Sequence, residues 1–198
     1  MEDEYLTIEA LVRGEIKVKG SRFIATAKPI KAEGETRAFL QDISSQFWDA
    51  THNPYAYRLK GGVFRFSDAG EPSGTAGKPI LSAIDSQGLT DVALVVTRYF
   101  GGTKLGVGGL SRAYHQAALS SLKRAKVISA YITKALTLEF PYDLINTVKR
   151  ALVQYGAQPI EEEYSDQVRL TLAVRESLLG KLQTVITEAT RGRAKVTS

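Results

Sequence analysis

The residues best suited to binding chemistry lie in a glycine-rich segment between a predicted buried strand and a predicted helix. Lys104 and Arg112 supply full positive charges, and the glycines between them allow another group to approach the backbone closely. The N-terminus of the following helix offers free N–H groups and the positive end of the helix dipole. The segment therefore predicts an anion- and nucleic-acid-binding site. Its predicted members are Arg98, Tyr99, Gly101, Gly102, Lys104, Gly106, Gly108, Gly109 and Arg112.

The segment lacks the spacing of the common nucleotide-binding loops. It contains neither the G-x-x-x-x-G-K-[ST] pattern of a Walker A loop nor the G-x-G-x-x-G pattern of a Rossmann fold. A simpler alternative is that the glycines serve only the tight packing of the strand against the helix.

A second turn-rich segment, residues 67–79, is dense in glycine, proline and small hydroxyl residues. Asp68 and Glu71 could hold a hard cation such as Mg²⁺, or they could cap the backbone amides of a turn. We expect the two segments to face each other across a shared groove, because both are too polar for a core and both adjoin predicted strands. The predicted second half of the site is His52, Asp68, Glu71, Ser73, Thr75 and Lys78. No cofactor or resident metal ion is predicted.

Signals for catalysis are weak. His52 and His115 are the only histidines, and neither has a second potential metal ligand at a suitable spacing. A surface or capping role for His52 is the simpler interpretation. The G-x-S-x-G pattern of a hydrolase nucleophile is absent. No catalytic residue is predicted.

Charge is distributed unevenly along the 198 residues. The net charge is +5, and no Asp or Glu occurs between Val92 and Leu138. A segment of one sign attracts polyanions, although a solvated helix face balanced by acids elsewhere in space would look the same. There are no cysteines, the first residues are acidic, and no apolar run is long enough to span a bilayer. These features predict a cytoplasmic protein without a membrane partner.

Hydrophobic periodicity predicts an α+β protein with two domains, residues 1–130 and residues 131–198. In the first, we predict strands over residues 5–11, 23–29, 54–59, 63–66 and 91–97, with helices over residues 33–50 and 110–125. Loops are expected over residues 67–79 and 98–109. The tail from Thr133 shows a β-α-β-β-α-β order, which is the ferredoxin-like pattern.

Several of these segments resemble the IMPACT/YigZ family of bacterial and archaeal two-domain proteins. The matching residues are 20–23, His52, Ala56 and Tyr57, 67–80 and 96–114. The resemblance implies an N-terminal β-α domain similar to a ribosomal-protein domain and to elongation factor G domain IV. It implies a C-terminal ferredoxin-like domain similar to elongation factor G domain V. Ala69 and Pro54 depart from the family pattern, in which an acid and a cysteine are frequent at these positions.

Three functions remain open from the sequence. The first is a translation-linked binding or regulatory protein that contacts RNA or the ribosome through the basic glycine-rich surface. The second is a regulator that binds protein partners in translation control without nucleic acid. The third is an enzyme that acts on a phosphorylated metabolite or nucleotide, which rests on the relation of the implied fold to small-metabolite kinases.

Overall fold

The computed structural model describes residues 3–198, and the chain divides into two compact units. One unit is Tyr5–Ser129. The other combines Asp3 and Glu4 with Ala130–Ser198. Both units mix helices with strands, so the α+β prediction is confirmed. The likeness of each unit to a translation-factor domain stays a prediction.

The unit Tyr5–Ser129 is built on a five-stranded sheet with the order β2-β3-β6-β4-β5. From Glu4 to Tyr131 the strands and helices are β1 (Glu4–Ile8), β2 (Val12–Val18), β3 (Ser21–Pro29), α1 (Glu33–Gln46), β4 (Tyr55–Arg58), β5 (Phe64–Ser67), α2 (Gly77–Ser86), β6 (Val92–Tyr99), α3 (Gly106–Leu122) and β7 (Val127–Tyr131). β1 and β7 form a separate two-stranded sheet.

The central strand β6 supplies residues to two cores on opposite faces of the sheet. Side chains alternate between the faces of a strand, so Leu94 and Val96 pack with α2 and α3 in one core, while Ala93 and Val95 pack with α1 in the other. All four are buried. This arrangement places the C-terminal end of β6 beside the starts of α2 and α3, where both glycine-rich segments lie.

The second unit contains β8 (Thr133–Phe140), α4 (Ile145–Gln154), β9 (Gln158–Tyr164), β10 (Val168–Arg175), α5 (Glu176–Ala189) and β11 (Lys195–Thr197). Its antiparallel sheet has the order β11-β8-β10-β9. The β-α-β-β-α-β order predicted for this tail is the order observed. A core that includes Leu136, Leu170, Leu182 and Ile186 lies between the sheet and the two helices.

The glycine-rich segment is more helical than its sequence predicts. Arg98 and Tyr99 end β6, and α3 begins at Gly106 instead of residue 110. The true loop is therefore residues 100–105. Gly106, Gly108 and Gly109 form the first turn of α3, where glycine costs less than in a helix interior because few hydrogen bonds have yet formed.

Helix α2 was not expected, since residues 67–79 are predicted as loop and nothing is predicted after them. The helix begins at Gly77, and Pro79 lies in its first turn. Proline is tolerated there because the first-turn N–H groups have no partner within the helix. The glycine, proline and small residues of the segment 67–79 predict a loop, but α2 begins within this segment.

Two strands and two element ends also differ from the predictions. β1 ends at Ile8, and the unpredicted β2 then pairs with β3 across a turn in which Lys19 and Gly20 have φ of 46° and 82°. Positive φ at both central residues is the geometry of a tight hairpin turn. β7 was not predicted either, and α1 ends at Gln46 instead of residue 50. Within residues 3–198, no helix has the length and apolar character needed to cross a bilayer.

Candidate functional site

The two glycine-rich segments line one cavity, as the sequence predicts. This loop cavity has a volume of about 460 Å³ and opens beside the end of β6 and the start of α3. Its lining residues are Thr51, His52, Glu71, Pro72, Arg98, Phe100, Lys104, Leu105, Gly106, Val107 and Leu110. Glu71 and Lys104, which are 33 positions apart in the chain, thus meet at one place.

A buried ion pair forms one wall of the loop cavity. Arg98 Nη1 donates to Glu71 Oε1 at 2.6 Å, and the Tyr114 hydroxyl donates to the same oxygen at 2.6 Å. The Arg98 and Glu71 side chains are only 6% and 2% exposed. Burial, followed by the hydrogen bond to Glu71, raises the pKa of the Tyr114 phenol far above its ordinary value. Tyr114 therefore stays a hydrogen-bond donor at any physiological pH.

Aromatic rings enclose the Arg98 guanidinium. Its central carbon is 5.5 Å from the ring centroid of Phe23 and 5.5 Å from that of Phe100, distances at which cation–π attraction operates. Phe23 also packs edge-to-face on Tyr114. Arg98 Nε is buried and has no hydrogen-bond partner among the described residues. Arg98 is thus held mainly by Glu71 and the rings, which makes it part of the architecture of the cavity.

Asp68 caps the start of α2. Its carboxylate accepts hydrogen bonds from the backbone N–H groups of Gly74, Ala76 and Gly77 at 2.8–2.9 Å. Burial raises the pKa of the Asp68 carboxyl, but the three backbone donors outweigh burial and lower that pKa below its ordinary value. Of the two roles that the sequence allows, capping is therefore the role observed. No cluster of acids or histidines suited to a metal ion occurs in the part of the chain that the structure describes.

The start of α3 differs from the start of α2 in this respect. No side chain among residues 3–198 caps it, and Leu105 and Gly106 at this helix end line the loop cavity with Lys104. The first-turn N–H groups and the exposed Lys104 ammonium therefore lie together at the mouth of a cavity. Helix N-termini of this kind attract anions.

Lys78 and Arg112 do not belong to the loop cavity. They line a second cavity of about 380 Å³, the helix groove, which lies between α2 and α3. Lys104 and Arg112, both predicted members of the anion-binding surface, therefore line different cavities. The reason is the register of α3, because residues 106, 107 and 110 face one cavity while residues 111, 112, 115 and 116 face the other. Binding of an anion by Lys104 and Arg112 stays a prediction.

Three other predicted site residues have structural roles. Gly101 packs on the β2–β3 turn, where an added Cβ would lie 1.9 Å from the Gly20 carbonyl carbon. The Tyr99 hydroxyl donates to Asp49, which leaves this ring less free to stack on a base. Thr75 donates to the Pro72 carbonyl within its own loop.

The remaining predicted residues lie around these features. His52 bonds through Nδ1 to the Ala69 carbonyl at 3.0 Å, so the ring braces the second loop while it lines the loop cavity. This agrees with the surface or capping role that the sequence favours. Ser73 and Gly102 are exposed and line neither cavity.

The sequence predictions missed Tyr114 as part of the site. Its helical spacing assigns it correctly to the core stripe of α3, where it is fully buried. A buried tyrosine hydroxyl needs a hydrogen-bond partner, and that requirement was the available signal for a nearby carboxylate.

Comparisons with known proteins agree with the resemblance seen in the sequence. Residues 19–122 match the Impact N-terminal domain, and residues 138–193 match a domain of unknown function (DUF1949). The chain is 34% identical to the IMPACT family member YvyE of Bacillus subtilis, over 97% of this chain and 89% of that protein. It is 29% identical to the IMPACT family member YigZ of Escherichia coli, over 89% of this chain and 88% of that protein.

A solved structure supports the same conclusion for the fold. The crystal structure of a hypothetical protein matches 100% of this chain and 98% of its own, with a TM-score of 0.77 and 27% identity. The Impact N-terminal domain match includes β3, β6, α2 and α3, the elements around the loop cavity. On the sequence, the site and these matches together, the chain belongs to the IMPACT family.

Proposed function

We propose that this protein is a translation-linked regulatory protein that binds RNA through the loop cavity. Membership of the IMPACT family supports a regulatory, translation-related role in general terms. The observation that carries the finer proposal is the uncapped start of α3, which opens beside Lys104 into the loop cavity. Backbone N–H groups and an ammonium together suit a phosphate group.

The apolar part of the loop cavity suits a base next to that phosphate. Phe100 is 48% exposed and Val107 is 67% exposed, although both lie on a wall of the cavity. In proteins that bind single-stranded nucleic acid, bases stack on exposed aromatic rings whatever the nucleotide sequence. Phe100 is available for such stacking, whereas Tyr99 is engaged by Asp49.

The two acids of the second loop support binding better than catalysis. The Asp68 carboxylate accepts from three backbone amides, and Glu71 Oε1 accepts from Arg98 and Tyr114. Carboxylates engaged in this way stabilise the walls of the cavity. Neither has the free, clustered geometry that a Mg²⁺ site for phosphoryl transfer requires.

The proposal is tested by titrating fluorescently labelled single-stranded RNA at several salt concentrations. Lys104→Ala should weaken binding to all sequences alike and flatten the slope of log affinity against log salt by about 0.7, the value for one lost phosphate contact. Lys123→Ala is the matched control, because Lys123 is exposed at the other end of α3 and lines neither cavity.

Two outcomes would count against RNA binding at this site. Wild-type protein that binds neither RNA nor DNA at low salt would refute the proposal. The exposed apolar residues Phe100 and Val107 would then favour the alternative of a protein partner. Equal slopes for wild type and Lys104→Ala would place any RNA-binding surface elsewhere.

A further inference from the structure

The helix groove combines groups that suit an oxyanion. Lys78 and Ser82 lie one turn apart on α2, and Ser111 and Arg112 face them from α3. Two cations and two hydroxyl donors thus line a cavity of about 380 Å³. No Asp or Glu in the described part of the chain, residues 3–198, lines it.

Both cations are available to a ligand. Within residues 3–198, neither Lys78 nor Arg112 takes part in an ion pair, whereas Arg98 and Arg58 are paired with Glu71 and Asp85. Both free side chains are exposed. Their positive charge is therefore not neutralised by a local carboxylate.

The groove adjoins the loop cavity. Leu110 lines the loop cavity and its chain neighbour Ser111 lines the groove. The Cα atoms of two neighbouring residues are only about 3.8 Å apart. In residues 67–79, Pro72 likewise lines the loop cavity, and Gly74, two positions further on, lines the groove. A ligand that extends beyond the loop cavity would therefore meet the groove next.

Glycine in the first turn of α3 brings the Arg112 guanidinium towards that boundary. A Cβ built on Gly108 would lie 3.4 Å from Arg112 Nη1, so this side chain folds back along its own helix towards the uncapped end. The guanidinium therefore adds its charge close to the first-turn N–H groups. Its planar donors match the oxygens of a phosphate.

We infer that the helix groove is a second phosphate site, which holds a phosphate of the same RNA strand that the loop cavity binds. That the phosphate belongs to RNA rests on the proposed function. The side chains of the groove by themselves indicate only that the ligand carries a phosphate group. A strand that reaches both cavities makes at least three charged contacts, through Lys104, Lys78 and Arg112.

The groove itself is tested with inorganic phosphate on the full-length protein. We expect phosphate, added at constant ionic strength against chloride, to shift the NMR amide signals of Gly74, Ser82 and Ser111 in a saturable way. The paired change Lys78→Ala and Arg112→Ala should abolish the shifts. Shifts that do not saturate, or that persist in the double variant, would overturn the phosphate site.

Binding of an RNA phosphate in the groove is tested with labelled single-stranded RNA at several salt concentrations. The groove double variant should flatten the slope of log affinity against log salt by about 1.4, which corresponds to two lost contacts. The control pair Lys123→Ala and Arg124→Ala removes the same charge from the other end of α3 and should leave the slope unchanged. Both control residues are exposed and line neither cavity.

The inference and the proposed function fail in different ways. If Lys104→Ala flattens the slope and the groove double variant does not, RNA binding stands and the shared strand is refuted. If phosphate shifts the groove signals saturably but no RNA binds, the groove is a site for small phosphate compounds and the proposed function is refuted.

Discussion

At the scale of single residues, the site depends on a carboxylate and a guanidinium that are 27 positions apart in the chain. Glu71 accepts from Arg98 and from Tyr114 through one oxygen, and all three side chains are buried. Removing one member of a buried pair leaves the other charge without compensation, which costs far more than the loss of an exposed pair. Arg98 is also confined by Phe23 and Phe100, so it cannot easily move to water.

We predict that Glu71→Gln lowers the free energy of unfolding by about 3–5 kcal/mol, because it leaves the Arg98 charge buried and unpaired. Urea denaturation followed by circular dichroism measures the change. Glu15→Gln is the matched control, because Glu15 pairs with Arg22 on the surface, where a pair contributes about 0–1 kcal/mol. Equal losses in the two variants would show that the buried network does not stabilise the protein.

At the scale of secondary structure, the turn between β2 and β3 and the loop after β6 pack backbone against backbone. An added Cβ on Gly101 would lie 1.9 Å from the Gly20 carbonyl carbon and 2.2 Å from Ser21 N. Gly101 N also donates to the Ser21 hydroxyl at 3.1 Å. This glycine therefore allows the loop that carries Lys104 to pack against the β2–β3 turn. It contributes to the site by positioning that loop.

We predict that Gly101→Ala destabilises the protein by about 1–3 kcal/mol or more, since the overlap involves backbone atoms that cannot rotate away. Gly34→Ala is the control. Gly34 lies in α1, and an added Cβ there meets no atom of residues 3–198 within 4 Å, so stability should stay equal or rise by up to about 1 kcal/mol. Thermal denaturation of both variants gives the comparison. An unchanged melting temperature for Gly101→Ala would contradict the close approach.

At the scale of the whole molecule, Asp3 belongs with the unit that contains Ala130–Ser198. The Asp3 carboxylate accepts from the Ser177 amide at 3.1 Å and from the Ser177 hydroxyl at 2.5 Å, and the Asp3 carbonyl accepts from Ile132 N at 2.7 Å. A division of the sequence near Ala130 therefore separates Asp3 from its partners.

We predict that residues 1–130 and residues 131–198 each fold when they are expressed separately. Each includes a buried core of its own, so each should show a cooperative melt. The C-terminal fragment should melt below the corresponding transition of the full chain, because it lacks Asp3. Asp3→Ala in the full chain should lower the same transition. If neither fragment melts cooperatively, the proposal of two independent domains is wrong.

The sequence by itself determined the parts of this protein that follow from local pattern. Apolar spacing predicts the buried stripe of α3, including Leu110, Ala113 and Tyr114, and the alternation of the tail predicts its β-α-β-β-α-β order. The glycine-rich segments and the acid-free basic stretch also identified the surface on which both cavities lie. These features can be predicted from the sequence because periodicity and composition depend on residues close together in the chain.

Only the tertiary structure decided which charges meet and which remain free. Nothing near Glu71 in the sequence indicates Arg98 or Tyr114. The sequence allows Asp68 either to cap backbone amides or to hold a cation, and only the structure shows that it caps α2. The separation of Lys104 from Arg112 depends on where α3 begins, which the glycines obscure. Side-chain pairing across a sheet and between helices is set by how distant elements pack, so short-range pattern cannot specify it.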